Sequence, residues 1–535
     1  MPQLRDPKRV LVVGAGAAGM SCANQLAEHP DRFKVTLVEA TDYCGGQAFS
    51  IPLDKERHGA EWINQGVQGG SHIFHHTIHL FRQQGHDVTP VNLQVSFGKG
   101  DKFWTNVFPT PLVDKHRTEI RRFEKALKFL RYTEIIFGLL PIKVFLKLWL
   151  FSDEFLNYLI YPTVALFLGT GNYTPDVPSI ILERLFTSPT YGMWYPADPL
   201  SLASNQPPMI VFPKLSQFYT DWQHSLQSRG VDVRLSTEVT RIIARTSRSV
   251  TVGLRTRVRN QDHHNPQSQD IPESAAFQSE ETIEEFDDVI LCVLPDTSTR
   301  LLGGHATWLE RRVLGAAKFS DDVTVTHWDS DYMEKWYENH FKEDLAVRSL
   351  GGGTRDEGER VQIGRETFRP MYYIKQTSAN PRLLEMAFDC TNYQSQFKKD
   401  MPFERHVFQT IFLNKRDHQT WSKSDIAADK VIREDWWHQL CHSYTHYLFV
   451  VPFLWLINST PLFNVFRRQS RIKFAGSWTL VNAHEVAVMS GMAAAYSLGA
   501  AYPEGLEKDG FALLCFRLYT LFVWGRWYSK GSNRE

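Results

Sequence analysis

The chain has 535 residues, with 59 Lys and Arg against 59 Asp and Glu, so its formal net charge is zero. That length suits two or more structural units around a large core, and the charge balance excludes a broad nucleic-acid-binding surface while leaving local patches open. Six cysteines (Cys22, Cys44, Cys292, Cys390, Cys441, Cys515) lack metal-ligand spacing and fit a reducing compartment.

Met1 to Arg9 is short and polar, so the expectation is a cytoplasmic chain with no signal peptide and with unused acceptor motifs at Asn172 and Asn458. The first predicted strand, Val10 to Val13, runs straight into Gly14-Ala15-Gly16-Ala17-Ala18-Gly19 and a helix. A second predicted strand, Lys34 to Glu39, follows and ends in an acid. Each part has a separate job. Gly14 permits the tight turn, Gly16 lets the backbone approach a pyrophosphate, and Gly19 lets helix and strand pack closely. The helix N-terminus, at Ala17 and Ala18, offers N–H groups and a favourable dipole to phosphate. Glu39 is placed to accept hydrogen bonds from a ribose. In this order, the parts predict a bound dinucleotide.

Next come Cys44-Gly45-Gly46-Gln47 and a Gly/Asn/Gln-rich stretch, Glu61 to Gly70, which includes Asn64 and Gly66. Further on are Val231 to Ile242, with Val239, and the apolar run Phe286 to Pro295, suited to a strand buried on both faces. Last is Phe474-Ala475-Gly476-Ser477-Trp478, followed by His484-Glu485-Val486 and an Ala/Gly-rich helix. These motifs resemble the flavoprotein amine oxidase and phytoene desaturase superfamily. The region Glu310 to Asp329, with His442 to Tyr447 and Gly476 to Glu485, resembles a little-characterised branch of predicted FAD-binding proteins, with polyunsaturated fatty acid isomerases as more distant relatives.

The resemblance implies an α/β fold class, with a Rossmann-type FAD-binding domain interleaved with a mixed α+β substrate domain. It implies FAD held non-covalently. Gly45, Gly46 and Gln47 would lie along the pyrophosphate and ribityl chain, with Gln47 replacing the family's arginine; Asn64 and Gly66 belong to the loop that follows. The Val239 backbone would hold the adenine. Gly476, Ser477, Glu485 and Val486 would form the closing strand and helix that face the flavin. A nicotinamide-binding Rossmann domain with an unrelated loop is the alternative.

The expected organisation is a FAD-binding domain over 8–95, 206–300 and 469–503, a substrate domain over 96–205 and 301–468, and an amphipathic extension over 504–535. Residues from about 260 to 285 are polar and acidic, and are expected to form a mobile surface insertion. Three apolar stretches, Glu134 to Phe151, Tyr447 to Ile457 and Phe511 to Trp527, are too short or interrupted to span a bilayer; Pro141 breaks the first. Together they raise the expectation of peripheral membrane contact, or of a lipid-like substrate drawn from a membrane.

His72, His75, His76 and His79 fall at helical spacing, but without acidic or cysteine partners nearby no metal is expected. His442 and His446 repeat the spacing and receive the same reading. His484 and Trp478 are the catalytic candidates. His484 would either move a proton beside the flavin or support the loop, the second being preferred. Trp478 would wall the site or pack in the core. Tyr372 with Tyr373, and Trp436 with Trp437, are neighbours on strands and so point to opposite faces, which leaves an amine-caging pair unsupported. The expected function is an FAD-dependent oxidoreductase that abstracts hydride from a hydrophobic small molecule, as oxidase or desaturase. A redox-neutral double-bond isomerase and a non-catalytic flavin-binding protein are the alternatives.

Overall fold

The computed structural model describes residues 6–187, 197–198, 202–203, 206, 208–257, 280–347, 355–459 and 471–533. Five strands, β1 (Lys8–Val13), β2 (Phe33–Val38), β3 (Asp232–Arg234), β4 (Asp288–Leu291) and β5 (Ile472–Phe474), form a parallel sheet in the order β3-β2-β1-β4-β5. The inner strands are rich in Val, Ile and Leu and almost entirely buried, as a sheet covered on both faces requires. Three distant parts of the sequence therefore build one sheet, with β4 registered between β1 and β5.

Helix α1 (Ala17–Ala27) leads out of β1 and has every residue buried. It is enclosed by α3 (Leu215–Ser228), whose Trp222 Nε1 donates to Asn24 Oδ1 at 2.9 Å, and by α4 (His484–Leu498). The contact of α1 with α4 is backbone to backbone. Ser21 Oγ donates to the Val488 carbonyl at 2.8 Å, and a Cβ on Gly491 would lie 2.0 Å from the Ala18 carbonyl oxygen. A larger side chain there must force two buried helices apart, and overpacking of this kind costs about 3 kcal/mol. Gly491→Val is expected to lower the unfolding free energy of the apoprotein by that amount, read as a fall in the urea midpoint; an unchanged midpoint would contradict the packing described.

The chain leaves this domain and returns twice. Val95–Phe97 joins a six-stranded sheet whose strands, in spatial order, are Val431–Leu440, Phe319–His327, Phe408–Phe412, Leu384–Asp389, Tyr372–Gln376 and Val95–Phe97. The pairings are antiparallel except the last, which is parallel. Between these excursions Pro208–Val211 returns to pair with Gly69–Ser71 and Thr89–Asn92.

The end of the expected mobile insertion is ordered differently from the sequence reading. Thr282–Phe286 is a strand paired with Val250–Leu254, because Ile283 and Phe286 carry β propensity and the neighbouring strand supplies backbone partners. Residues 258–279, most of the expected insertion, lie outside the described residues.

The first apolar stretch divides at Pro141 into helices Glu134–Phe137 and Ile142–Leu148. The last forms α5 (Gly510–Trp524). Among the described residues, no helix is long and apolar enough to cross a membrane.

Candidate functional site

The turn after β1 is closed at two of its glycines and open at the third. A Cβ on Gly14, at φ +97°, would sit 2.9 Å from the Cys292 carbonyl oxygen, and one on Gly19 would sit 1.8 Å from the Gly14 carbonyl oxygen. These two positions serve the protein's own packing. Gly16 differs, since a Cβ there meets nothing within 4 Å. Its backbone is extended, at φ −73° and ψ −178°, and it heads α1 with no side-chain cap. The first N–H groups of α1, at Ala17 and Ala18, follow directly on this open position, the placement at which a helix head binds phosphate.

A second loop runs alongside. Gly45 N–H donates to the Ala15 carbonyl at 2.8 Å, and Gly16 and Gly45 form a parallel bridge. A Cβ on Gly45, at φ +123°, would collide with the Ala48 carbonyl oxygen and the Tyr219 ring, while one on Gly46 would lie 3.4 Å from the Gly16 Cα. Gln47 is exposed, and its carbonyl oxygen would meet a Cβ on Gly66 at 2.2 Å. Gly14 to Gly19 and Gly45 to Gln47 are therefore brought together as one backbone-lined cradle. Asn64 lies deeper. It accepts from Ser50 Oγ and Leu215 N–H and donates to the Phe212 and Pro213 carbonyls, fastening the loop to α3.

Glu39 sits where β2 ends. Its carboxylate accepts from Ala15 N–H at 2.7 Å and Thr41 N–H at 2.9 Å, which leaves acceptor capacity on Oε2 for a ribose hydroxyl. Its backbone is held by Arg234 and Thr237. The strand Thr237–Arg245 thereby carries buried Val239 close to the acid, with a bulge immediately after it.

At the other end, Gly476 adopts φ +141° with the Trp478 ring stacked where a Cβ would go. Trp478 is buried and donates through Nε1 to the Val293 carbonyl, so its indole belongs to the core. Ser477 Oγ donates to Asn482 Oδ1, shaping the turn before α4. Val486 is buried in the first turn of α4.

The carboxylate of Glu485 has partners on α2 (His75–Gln83), whose N-cap Phe74 offers none of its own. It accepts from His76 N–H at 2.9 Å, Thr77 N–H at 2.8 Å and His76 Nδ1 at 2.6 Å. His76 Nε2 pairs in turn with the Tyr502 hydroxyl.

His484 is bonded on both ring nitrogens, to Thr77 Oγ1 at 3.0 Å and to the Tyr219 hydroxyl at 2.8 Å, and stacks on Phe81. Burial pushes its pKa down to about 4. A neutral imidazole with both nitrogens engaged ties α2, α3 and α4 together. His442, also buried and lowered to about 4, bonds the Tyr447 hydroxyl and accepts from Asn482 N–H.

The unfolded chain takes protons on these histidines near pH 6.5 and the folded one only near pH 4. Their contribution is therefore full above pH 6.5 and lost progressively as pH falls towards 4. The urea midpoint is expected to fall across that window, with a shallower slope in His484→Gln; parallel slopes in the two proteins would contradict the assignment.

The histidine clusters do not form as the spacing suggested. His72 precedes α2, whose N-cap is Phe74, and its Nδ1 faces the Pro208 carbonyl. His75 pairs with Asp509 and His76 with Glu485, so the ring directions diverge. His442 likewise precedes the helix Tyr444–Phe449 that carries His446. Among the described residues, no group of three or more potential ligands could hold a metal ion.

Sequence reading missed a buried amide cluster between the hairpin of Ala48–Pro52 with Trp62–Gly66 and the six-stranded sheet. Gln65 Nε2 donates to Asp435 Oδ2, which Arg433 also grips, and Gln65 Oε1 accepts from Thr326 and Gln409. Gln68 bonds Gln409 and Gln394. Beside it, Trp437 reaches Phe49 and the backbone of Gly66. The only sequence signal was the density of glutamines around Gly66; their partners come from strands far along the chain. Tyr372 and Tyr373 diverge, the first towards Phe388 and Tyr393, the second towards Tyr337.

Residues 12–84 match a family described as an NAD(P)-binding Rossmann-like domain. A search of curated proteins finds no match. Among solved structures, the CLA-producing fatty acid isomerase from P. acnes is similar with a TM-score of 0.55 at 15% identity, covering 91% of this chain and 98% of that one. Cyclohexylamine oxidase from Brevibacterium oxydans is similar with a TM-score of 0.53 at 12% identity, covering 92% and 98%. Putrescine oxidase bound to putrescine gives 0.54 at 13% identity, covering 92% and 99%. At these identities the likeness is one of fold. The chain has an amine-oxidase-like α/β fold, with a Rossmann-like parallel sheet and a second, mixed sheet.

Proposed function

We propose that the chain is an FAD-dependent oxidoreductase that takes hydride from a C–H or C–N bond of a hydrophobic small molecule, as oxidase or desaturase. The observation that carries this reading is the cradle at Gly16. It is open where a pyrophosphate needs room, closed at Gly14 and Gly19, and joined to the Gly45–Gln47 loop within a fold shared with flavin amine oxidases. Bound FAD supplies the hydride-accepting chemistry. The chain's own residues bind and orient. Backbone N–H groups at the head of α1 hold phosphate, Glu39 fixes the ribose, and the head of α4 lends a positive dipole end to developing negative charge. His484 keeps that helix in place without moving a proton. Tyr43, Phe49 and Trp437 pack ring to ring beside the Gly45–Gln47 loop, where they would line one side of a bound ligand.

The likeness to a fatty acid isomerase supports a second reading, redox-neutral migration of a double bond in a lipid-like substrate. Anaerobic addition of fatty acids, terpenoids and amines separates the readings. Bleaching of the flavin band, with oxygen or acceptor consumed on re-aeration, is the expected result. Product formed without any acceptor consumed would favour the isomerase. A flavin that no candidate reduces, with no product formed, would sink both and leave a non-catalytic flavin-binding protein.

A further inference from the structure

We propose that the helical projection over residues 117–150 is a docking face for a bilayer carrying anionic lipids. Three short elements meet there: the end of helix Arg117–Tyr132, helix Glu134–Phe137 and helix Ile142–Leu148. Their rings lock together, Phe129 lying 5.2 Å from Phe137 and 5.6 Å from Trp149. The projection is anchored from behind. Ile142 N–H donates to the Val177 carbonyl, Ser179 N–H to Leu140, Ile180 N–H to Gly138, and Arg184 grips Glu134.

What this framework displays outward is apolar. Ile135 is 97% exposed, Tyr132 87%, Leu150 79%, Ile136 72% and Leu148 63%, with Leu139 beside them. Folding alone gives no reason to hold large aliphatic side chains in water on a tethered scaffold, and a contiguous patch of this kind marks an interaction surface. Leu150 adds to the case. It adopts φ +57°, a left-handed conformation that disfavours side chains, yet it is a leucine pointing outward.

The charge around the patch selects the partner. In a chain of zero net charge, residues 117–150 hold eight Lys and Arg against three Glu. Arg121, Lys125 and Lys128 follow one another on the exposed side of their helix, while Ile120, Phe123 and Leu127 face the core. Exposed Lys147 adjoins Leu148, while Lys143, next to Val144, is held by Asp176 at 2.6 Å. Among the described residues Arg121, Lys125 and Lys147 have no acidic partner. Exposed aliphatic and aromatic side chains on the same segment as unpaired cations are the composition that inserts at the headgroup boundary of an anionic leaflet. A protein partner would need a complementary acidic rim around an apolar socket, and a second copy of this equally basic face would repel it.

Co-sedimentation of the full chain with vesicles tests this, read as bound protein and so independent of flavin content. Wild type is expected to pellet with phosphatidylcholine vesicles containing phosphatidylglycerol, weakly with phosphatidylcholine alone, and less as salt is raised. Ile135→Asp combined with Ile136→Asp changes two exposed side chains and is expected to reduce the bound fraction at least about tenfold. Lys125→Glu combined with Lys147→Glu is expected to remove the preference for the anionic vesicles. Unchanged circular dichroism and melting in these variants shows that the fold is kept. No binding of wild type to either vesicle would overturn the proposal. So would a wild-type dimer that the Ile135/Ile136 variant dissociates, since the patch would then be covered by a second copy.

Discussion

Gly16→Val is expected to abolish dinucleotide binding while leaving the apoprotein as stable as wild type. The backbone at Gly16 is extended, in a region open to any L-residue, and an added Cβ meets nothing within 4 Å. The new side chain would therefore disturb only what occupies the cradle. Filling that space obstructs the close approach of a pyrophosphate and masks the N–H groups of α1. Overpacking of a tight contact costs about 3 kcal/mol, equivalent to a loss of affinity of at least about 100-fold. The measurement pairs flavin titration by fluorescence quenching with a urea melt of the apoprotein. The contrasting substitution is Gly19→Ala, whose Cβ would clash with the Gly14 carbonyl oxygen at 1.8 Å and should destabilise the fold itself. If Gly16→Val binds flavin as wild type does, the cradle has been misplaced.

Glu485→Ala has the opposite signature, a loss of stability in the absence of any ligand. Its carboxylate caps a helix from a distance of 409 residues in sequence, accepting two N–H groups at the head of α2 and the ring of His76. Truncation leaves these donors buried and unanswered, a loss of about 3–5 kcal/mol. Glu485→Gln retains an acceptor and should lose a smaller part. Burial alone would raise the Glu485 pKa, but His76 and the two amides together hold it below the ordinary carboxylate value. The stability it contributes is thus complete above the unfolded value of 4.5 and is lost as pH falls through the folded one. Wild type and Glu485→Gln should converge in stability at strongly acidic pH and separate near neutrality. A constant gap between them across that range would contradict the capping role.

The nucleotide half of this molecule was legible in the sequence because its constraints are local. Strand, turn, helix and acid follow one another within thirty residues of the first strand, and Gly19 answers to Gly14 in the same turn. The head of α4 was only half legible. His484 and Glu485 stand out as polar residues opening an apolar helix, but their partners, Thr77, His76 and Tyr219, reach them only through tertiary packing. Spacing misled at His72 and His442, where the helix begins later than the histidine pattern. Acidic residues hid the strand Thr282–Phe286, whose partner strand decides its conformation. The amide cluster of Gln65, Gln68, Gln394 and Gln409 draws on segments more than 300 residues apart and leaves no periodic trace.

The central claim is that this cradle holds FAD, and the most direct measurement is identification of the chromophore released from the purified protein. Acid precipitation followed by chromatography and an absorption spectrum of the supernatant is expected to yield FAD at about one equivalent per chain, with none left on the pellet. A colourless protein that takes up a nicotinamide dinucleotide but cannot be reconstituted with FAD would contradict the account.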